Sequence, residues 1–194
     1  MKFAHINAVV FDLDGTLVDS RLDFDAICDD IGWPRGTPLL EHMAALGPCE
    51  ETDRAEAIIR QHELAGAEAA TWMPGAEACL QQLHARGYPL AILTRNMREA
   101  TQLVLQRLNI PISLALTRED CAAKPDPEGL HLIAQQMAIP SSAILYVGDY
   151  LFDLQVASNA GAMSCLYLND SNQHFSDQAD HVIAHFTELA AVFA

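Results

Sequence analysis

The chain alternates two kinds of segment along its length. Short, almost uninterrupted apolar runs fall at 8–13, 89–93, 112–116, 143–147 and 163–168, with a briefer one at 182–183. A run apolar at nearly every position suits a parallel strand covered on both faces, because a strand covered on one face alternates. Between these runs apolar residues recur every three to four positions, predicting helices over 75–86, 96–108, 127–137, 151–160 and 186–192. Asn96 with Glu99, and Asp126 ahead of Pro127, are the expected N-caps; Gly87 and Gly161 are the expected stops. One stretch breaks the rhythm. Residues 19–71 carry no strand-like run but three helical patterns, at 24–31, 39–46 and 52–70, interrupted by Gly32-Trp33-Pro34-Arg35-Gly36-Thr37-Pro38 and by Gly47-Pro48. The expected fold class is therefore α/β: a Rossmann-like, three-layer core with a parallel sheet and right-handed crossovers, made of 1–18 plus 73–194, with a small all-helical segment, 19–72, inserted after the first strand.

Composition narrows the partners. The 194 residues are 51% hydrophobic with a mean hydropathy of +0.09, which fits a globular chain and not a disordered one. No stretch approaches the roughly 18 apolar residues of a membrane span. Met1-Lys2-Phe3-Ala4-His5 leads into the first strand without the apolar region of a signal peptide, so a cytoplasmic location is expected. Five widely spaced cysteines with no CxxC pair suit reduced thiols and neither a disulfide framework nor zinc. The net charge is −15, and the 11 basic residues form no run, which argues against nucleic acid as a partner. An anionic substrate would be repelled by such a surface unless the site carried its own positive charge, and a bound divalent metal would supply it.

Candidate chemistry collects at the carboxyl ends of the predicted strands, where ligands of open parallel sheets bind. The first strand delivers Asp12 and Asp14 and breaks at Gly15. If the strand ran through both acids their side chains would share a face; if it ended near Asp12, that carboxylate would stand at the mouth of the sheet. Two acids in an apolar setting are costly without a cation or donors between them. Thr94 follows the second strand, Asp149 and Asp153 follow the fourth, and Lys124 precedes the intervening helix. Lys124 is one of only two lysines, the other being Lys2.

Four segments in order, Asp12-Leu13-Asp14-Gly15-Thr16, Leu93-Thr94-Arg95-Asn96, Lys124-Pro125-Asp126-Pro127 and Gly148-Asp149-Tyr150-Leu151-Phe152-Asp153, resemble the motifs of the haloacid dehalogenase superfamily in its phosphatase branch, with phosphoglycolate-phosphatase-like members as the nearest type. The resemblance implies a phosphoric monoester hydrolase that depends on Mg2+. It makes Asp12 the nucleophile that becomes an aspartyl-phosphate and Asp14 the general acid and base. Thr94 and Lys124 would hold the phosphoryl group. Asp12, Asp149 and the backbone carbonyl of Asp14 would hold the metal, with Asp153 in or just behind that shell. Arg95 would reach substrate or make a salt bridge elsewhere; Asn96 is read as a helix cap.

By the same resemblance, 19–72 is a helical cap that selects the substrate. It holds 12 acids against four arginines, Arg21, Arg35, Arg54 and Arg60, so a small phosphorylated metabolite is expected rather than a polyanion. It has no lysine, which speaks against the phosphonate-cleaving branch; Asp14 speaks against the dehalogenating one. Closure is expected to hinge at 16–21. A sugar phosphomutase on the same fold and a non-catalytic phosphate-binding module are the alternatives, and the expected state is a monomer or weak homodimer.

Overall fold

The computed structural model describes residues 3–193, so Met1 and Lys2 lie outside the described residues. In chain order the elements are β1 (Ala8–Phe11), β2 (Val18–Asp19), α1 (Phe24–Ile31), α2 (Leu39–Leu46), α3 (Glu50–Ala69), β3 (Thr71–Trp72), α4 (Ala76–Ala85) and β4 (Leu90–Leu93). There follow α5 (Arg98–Arg107), β5 (Leu114–Leu116), α6 (Glu128–Gln136), β6 (Ile144–Gly148), α7 (Leu151–Ala160), β7 (Met163–Tyr167), β8 (His181–Ile183) and α8 (Phe186–Val192).

Six strands form one parallel sheet in the order β5-β4-β1-β6-β7-β8. The α/β, three-layer expectation holds, and β1 shows why. All four of its residues are buried, but they serve two cores. Val9 and Phe11 pack with α4, α5 and α8, through Leu80, Leu83, Val104, Phe186 and Leu189. Ala8 and Val10 pack with α6 and α7, through Leu130, Ile133, Val156 and Ala157. A strand used on both faces cannot alternate, which is why it reads as a continuous apolar run. From β1 the chain builds outward to β4 and β5 on one side, then crosses to β6, β7 and β8 on the other. The switch in strand order thus falls between β1 and β6, at the ends that deliver Asp12 and Asp149.

Helices α1 to α3 surround a cluster of their own: Ile27, Cys28, Ile31, Trp33, Leu39, Ala55 and Ile59. Trp33, from the Gly- and Pro-rich break, is buried there and donates from Nε1 to Glu51 at 2.8 Å. The chain leaves and returns through a two-residue antiparallel pair, Val18 opposite Trp72 and Asp19 opposite Thr71. Two residues show no period, so this neck is invisible to hydrophobic patterning. Helix α3 lies along α5, where the buried Glu63 accepts from Arg118 Nη1 at 2.6 Å and from the Met97 N–H at 3.0 Å.

Three expectations need correction. The first strand stops at Phe11, because the Asp12 N–H makes its last bond to Val147 O and the chain then turns. Asn96 does not cap α5; Met97 holds that position, and the Asn96 side chain is used elsewhere. Asp126 does not cap α6, whose cap residue is Pro127; Asp126 instead accepts from the Glu128 N–H within the approach turn, at 2.9 Å. None of the five cysteines is in a disulfide, and no helix among the described residues is long and apolar enough to cross a membrane.

Candidate active site

Asp12 is the first residue past β1, and Gly15 turns the chain immediately afterwards with φ +76°. That turn needs glycine twice over. The backbone is left-handed, and a Cβ would sit 2.6 Å from Asp149 Oδ2. The loop before α6 brings Lys124 inward until it is only 3% exposed, with Nζ 2.8 Å from Asp12 Oδ1 and 2.6 Å from Asp153 Oδ1. Oxygens of Asp12, Asp149 and Asp153 all lie within 4.8 Å of one another. One cation therefore stands among three carboxylates.

The arrangement of Asp153 follows from Gly148 and Tyr150. A Cβ on Gly148 would lie 2.2 Å from Asp153 Cγ, so only glycine admits that side chain. Asp153 Oδ2 accepts the Tyr150 N–H at 2.9 Å, and Oδ1 takes Lys124 with the Tyr146 hydroxyl 3.3 Å away. Both of its oxygens are thus engaged by protein donors, which suits orienting Lys124 from behind. Asp149 is held by Thr16 Oγ1 at 3.2 Å and by Asn169 Nδ2 at 3.1 Å, and its backbone carbonyl accepts Asn172 Nδ2 at 2.7 Å.

The electrostatics show a shortage of positive charge. Burial, together with Asp153 and Asp149, pushes Asp12 up to about 8 against the pull of Lys124. Burial and Asp153 push Asp149 up to about 7. Burial would drive the Lys124 ammonium down, but Asp12 and Asp153 outweigh it and hold it above its ordinary value. Buried acids raised in this way are stabilised by an added cation, and an all-oxygen donor set matches a hard divalent ion. The residues present therefore fit a divalent metal beside Asp12 and Asp149.

Asp14 lies apart from this cluster. Its Oδ2 accepts Asn96 Nδ2, and burial raises its pKa against the pull of the Ser20 and Asn96 side chains. Thr94, buried at the end of β4, accepts the Asn96 N–H on Oγ1 at 3.2 Å, which leaves its hydroxyl proton free to donate. Arg95 does not touch the carboxylates. Its Nη2 binds both oxygens of Glu41 on α2, at 2.7 and 2.9 Å, its Nη1 donates to Lys124 O, and it lies 4.5 Å over the Phe152 ring. The four arginines of 19–72 turn away: Arg21 to Asp19, Arg35 to Asp29, Arg54 to Ile31 O and Arg60 to Glu99.

Sequence reasoning missed Asn96 as a side-chain partner of Asp14, and missed Tyr146, Asn169, Asn172 and Glu41 altogether. The Asn169-Asp170-Ser171-Asn172 turn was findable, since it follows a strand on the same sheet edge. Tyr146 was not, because within β6 it reads as one more core residue.

A family model described as haloacid dehalogenase-like hydrolase matches residues 6–161, which spans β1, the helical insertion and all four motif segments. The chain belongs to the haloacid dehalogenase-like hydrolase family. It is 29% identical over 182 residues to a phosphoglycolate phosphatase of Cereibacter sphaeroides, covering 82% of this chain and 84% of the relative. It is 28% identical over 221 residues to an N-acetylmuramic acid 6-phosphate phosphatase of Pseudomonas aeruginosa, covering 99% and 96%. Among solved structures, a predicted phosphoglycolate phosphatase from Haemophilus somnus shares the fold with a TM-score of 0.76, at 21% identity over 98% of this chain and 99% of that one.

Proposed function

We propose that the protein is a magnesium-dependent phosphatase that hydrolyses a small phosphomonoester through an aspartyl-phosphate on Asp12. The observation that carries this reading is Lys124 buried against Asp12, with Asp149 and Asp153 beside them. A buried nucleophilic carboxylate next to a fixed cation is a phosphoryl-transfer arrangement.

Lys124 and the Thr94 hydroxyl orient the phosphoryl group and offset its charge. Asp12 attacks phosphorus; a bond forms from its carboxylate oxygen as the bond to the leaving oxygen breaks. Asp14, whose pKa burial raises, gives a proton to that leaving oxygen. In the second half, Asp14 as carboxylate takes a proton from water, the water oxygen attacks phosphorus, and the bond to Asp12 breaks, which releases phosphate and restores both acids. Asp12, Asp149 and the Asp14 backbone carbonyl would hold the magnesium, with Asp153 behind them; bound there, the ion supplies a Lewis-acid contact to a phosphoryl oxygen.

Residues 19–72 act as the cap over a core of 1–18 plus 73–194, and the substrate is a metabolite with one phosphate. The two phosphatase relatives support that class, as does the predominance of acids in the insertion, which disfavours a polyanion. The test is Asp12→Asn assayed with p-nitrophenyl phosphate: turnover should fall by at least about 10³-fold. Retained turnover would falsify the mechanism. A sugar phosphate isomerised faster than it is hydrolysed would replace hydrolysis with a mutase reaction.

A further inference from the structure

We propose that Glu63 and Arg118 are positioning residues for the turn that carries Thr94: a buried ion pair, half of it supplied by α3 of the insertion, clamps the backbone of 95–97 and so fixes where the Thr94 hydroxyl stands. The inference rests on the proposed phosphoryl-holding role of Thr94 and goes beyond it by naming what holds that hydroxyl in place.

The turn between β4 and α5 brings three side chains to the site. Thr94 is buried at its start, Arg95 Nη1 donates to Lys124 O, and Asn96 Nδ2 donates to Asp14 Oδ2. Backbone groups outside a helix or strand ladder need other partners when water is excluded. The Thr94 N–H still bonds within the sheet, to Leu116 O at 3.0 Å. Beyond it the ion pair takes over. Arg95 O accepts Arg118 Nη1 at 2.9 Å, Asn96 O accepts the Arg118 N–H at 3.4 Å, and the Met97 N–H donates to Glu63 Oε2 at 3.0 Å. Arg118 Nη1 closes the clamp on Glu63 Oε1 at 2.6 Å. Amid these groups the Asn96 N–H donates to Thr94 Oγ1 at 3.2 Å. The hydroxyl is therefore oriented by the same stretch of backbone that the pair holds.

The seam between α3 and α5 has other ties. Arg107 Nη1 donates to Ala67 O at 2.8 Å, and Arg60 pairs with Glu99 in the open, with side chains 52% and 59% exposed. The side chains of Arg118 and Glu63 are only 15% and 8% exposed. A buried pair must offset the desolvation of two charges, and apolar residues of similar size commonly serve stability as well or better. Apolar residues cannot accept the Met97 N–H or donate to Arg95 O. The pair thus does what packing could not: it gives the turn a direction.

That difference supplies the test. The double variant Glu63→Leu with Arg118→Met removes both charges together and should keep the fold. The readout is the inhibition constant of inorganic phosphate against p-nitrophenyl phosphate in millimolar magnesium, which, unlike kcat, does not depend on how much of the sample is folded. It should rise about 10-fold in the double variant, as expected for one well-aimed hydrogen bond lost. Glu63→Gln, whose amide presents an oxygen to only one of the two donors, should raise it about 3-fold, and it carries the test if the double variant does not fold by circular dichroism. Arg60→Met loosens the same seam without touching the turn and should leave the constant unchanged. No rise in the Glu63 variants, or an equal rise in Arg60→Met, overturns the proposal. Thr94→Ala separates the two levels. If phosphate inhibits Thr94→Ala as it inhibits the wild type, the reading of Thr94 fails and this one with it; if inhibition weakens there and not in the Glu63 variants, only the positioning role fails. A wild type that does not turn over p-nitrophenyl phosphate overturns both.

Discussion

The sheet edge and the helical insertion use charge in opposite ways. At the edge, Lys124, Asp12 and Asp153 are largely removed from water, and the Lys124 ammonium is shared between the two acids. In the insertion, charges are numerous and wet: Arg35 and Asp29 form a 2.5 Å ion pair with side chains 67% and 49% exposed. Screening by water makes such surface pairs nearly neutral in energy, whereas a buried set is coupled, and removing one member strands the others. The proposed reaction belongs to the first region. The second is shaped by its small apolar cluster and by what it presents to the mouth of the site.

The largest expected effect tests this contrast directly. Lys124→Met should lower turnover of an aryl phosphate by about 10³-fold or more, since on the proposed mechanism it removes the fixed cation on the phosphoryl group. It should also cost roughly 3–5 kcal/mol of unfolding free energy in urea, because Asp12 and Asp153 are left facing each other. Arg35→Met should change stability by less than about 1 kcal/mol and leave turnover alone. Similar stability losses in the two variants would erase the distinction between the regions.

Next comes Gly148→Ala. Its methyl would meet Asp153 Cγ at 2.2 Å, so Asp153 must move and take its hold on Lys124 with it. Turnover should drop on the order of 10²-fold, the usual penalty for displacing a catalytic group by about 1 Å. Circular dichroism should show the helices retained. Unchanged turnover would mean that Asp153 does not orient Lys124.

Lys124 and Gly148 fall in segments that were legible in the sequence, and the reason is physical. Burial on two faces forces strands such as β1 to be continuously apolar, and parallel strands put their polar residues at one edge, so Asp12, Thr94 and Asp149 could be gathered without coordinates. What stayed hidden depends on packing between distant segments. Thr16 reaches Asp149 across 133 positions, and nothing local to either residue announces it. Asn96 with Glu99 fits the pattern of a capping box, but Glu63 from α3 displaced that local solution, a tertiary contact overriding a local preference. The β2–β3 neck is too short to carry a period.

A smaller effect follows from the raised acids. Between the ordinary carboxylate value of 3.8 and values of about 7 for Asp149 and about 8 for Asp12, the folded chain keeps protons that the unfolded chain has released. Stability of the metal-free protein should therefore fall as pH rises through that window. Melting temperature in EDTA should be lower at pH 8 than at pH 5.5, by about 2–4 °C for each kcal/mol involved. Millimolar magnesium should narrow the gap, because on the proposed reading it binds only the folded site. Asp149→Asn should flatten the slope in EDTA. An equally steep slope in that variant would assign the dependence to the −15 surface instead of the site.

The smallest effect sharpens the comparison at its seam, where the insertion meets the edge. Glu41 of α2 holds Arg95 with both oxygens, and Arg95 in turn donates to the backbone of Lys124 and lies over Phe152. The Glu41 side chain is 43% exposed, so Glu41→Gln should change stability by less than about 1 kcal/mol. Its kinetic effect should be selective. Freed from a carboxylate, the Arg95 guanidinium becomes available to a second anionic group on the substrate, for which its planar fork is suited. KM for a phosphate ester that also carries a carboxylate should fall severalfold, and KM for p-nitrophenyl phosphate should stay the same, with kcat unchanged for both. A parallel shift on the two substrates would mean that Glu41 acts on the whole mouth of the site, not through Arg95.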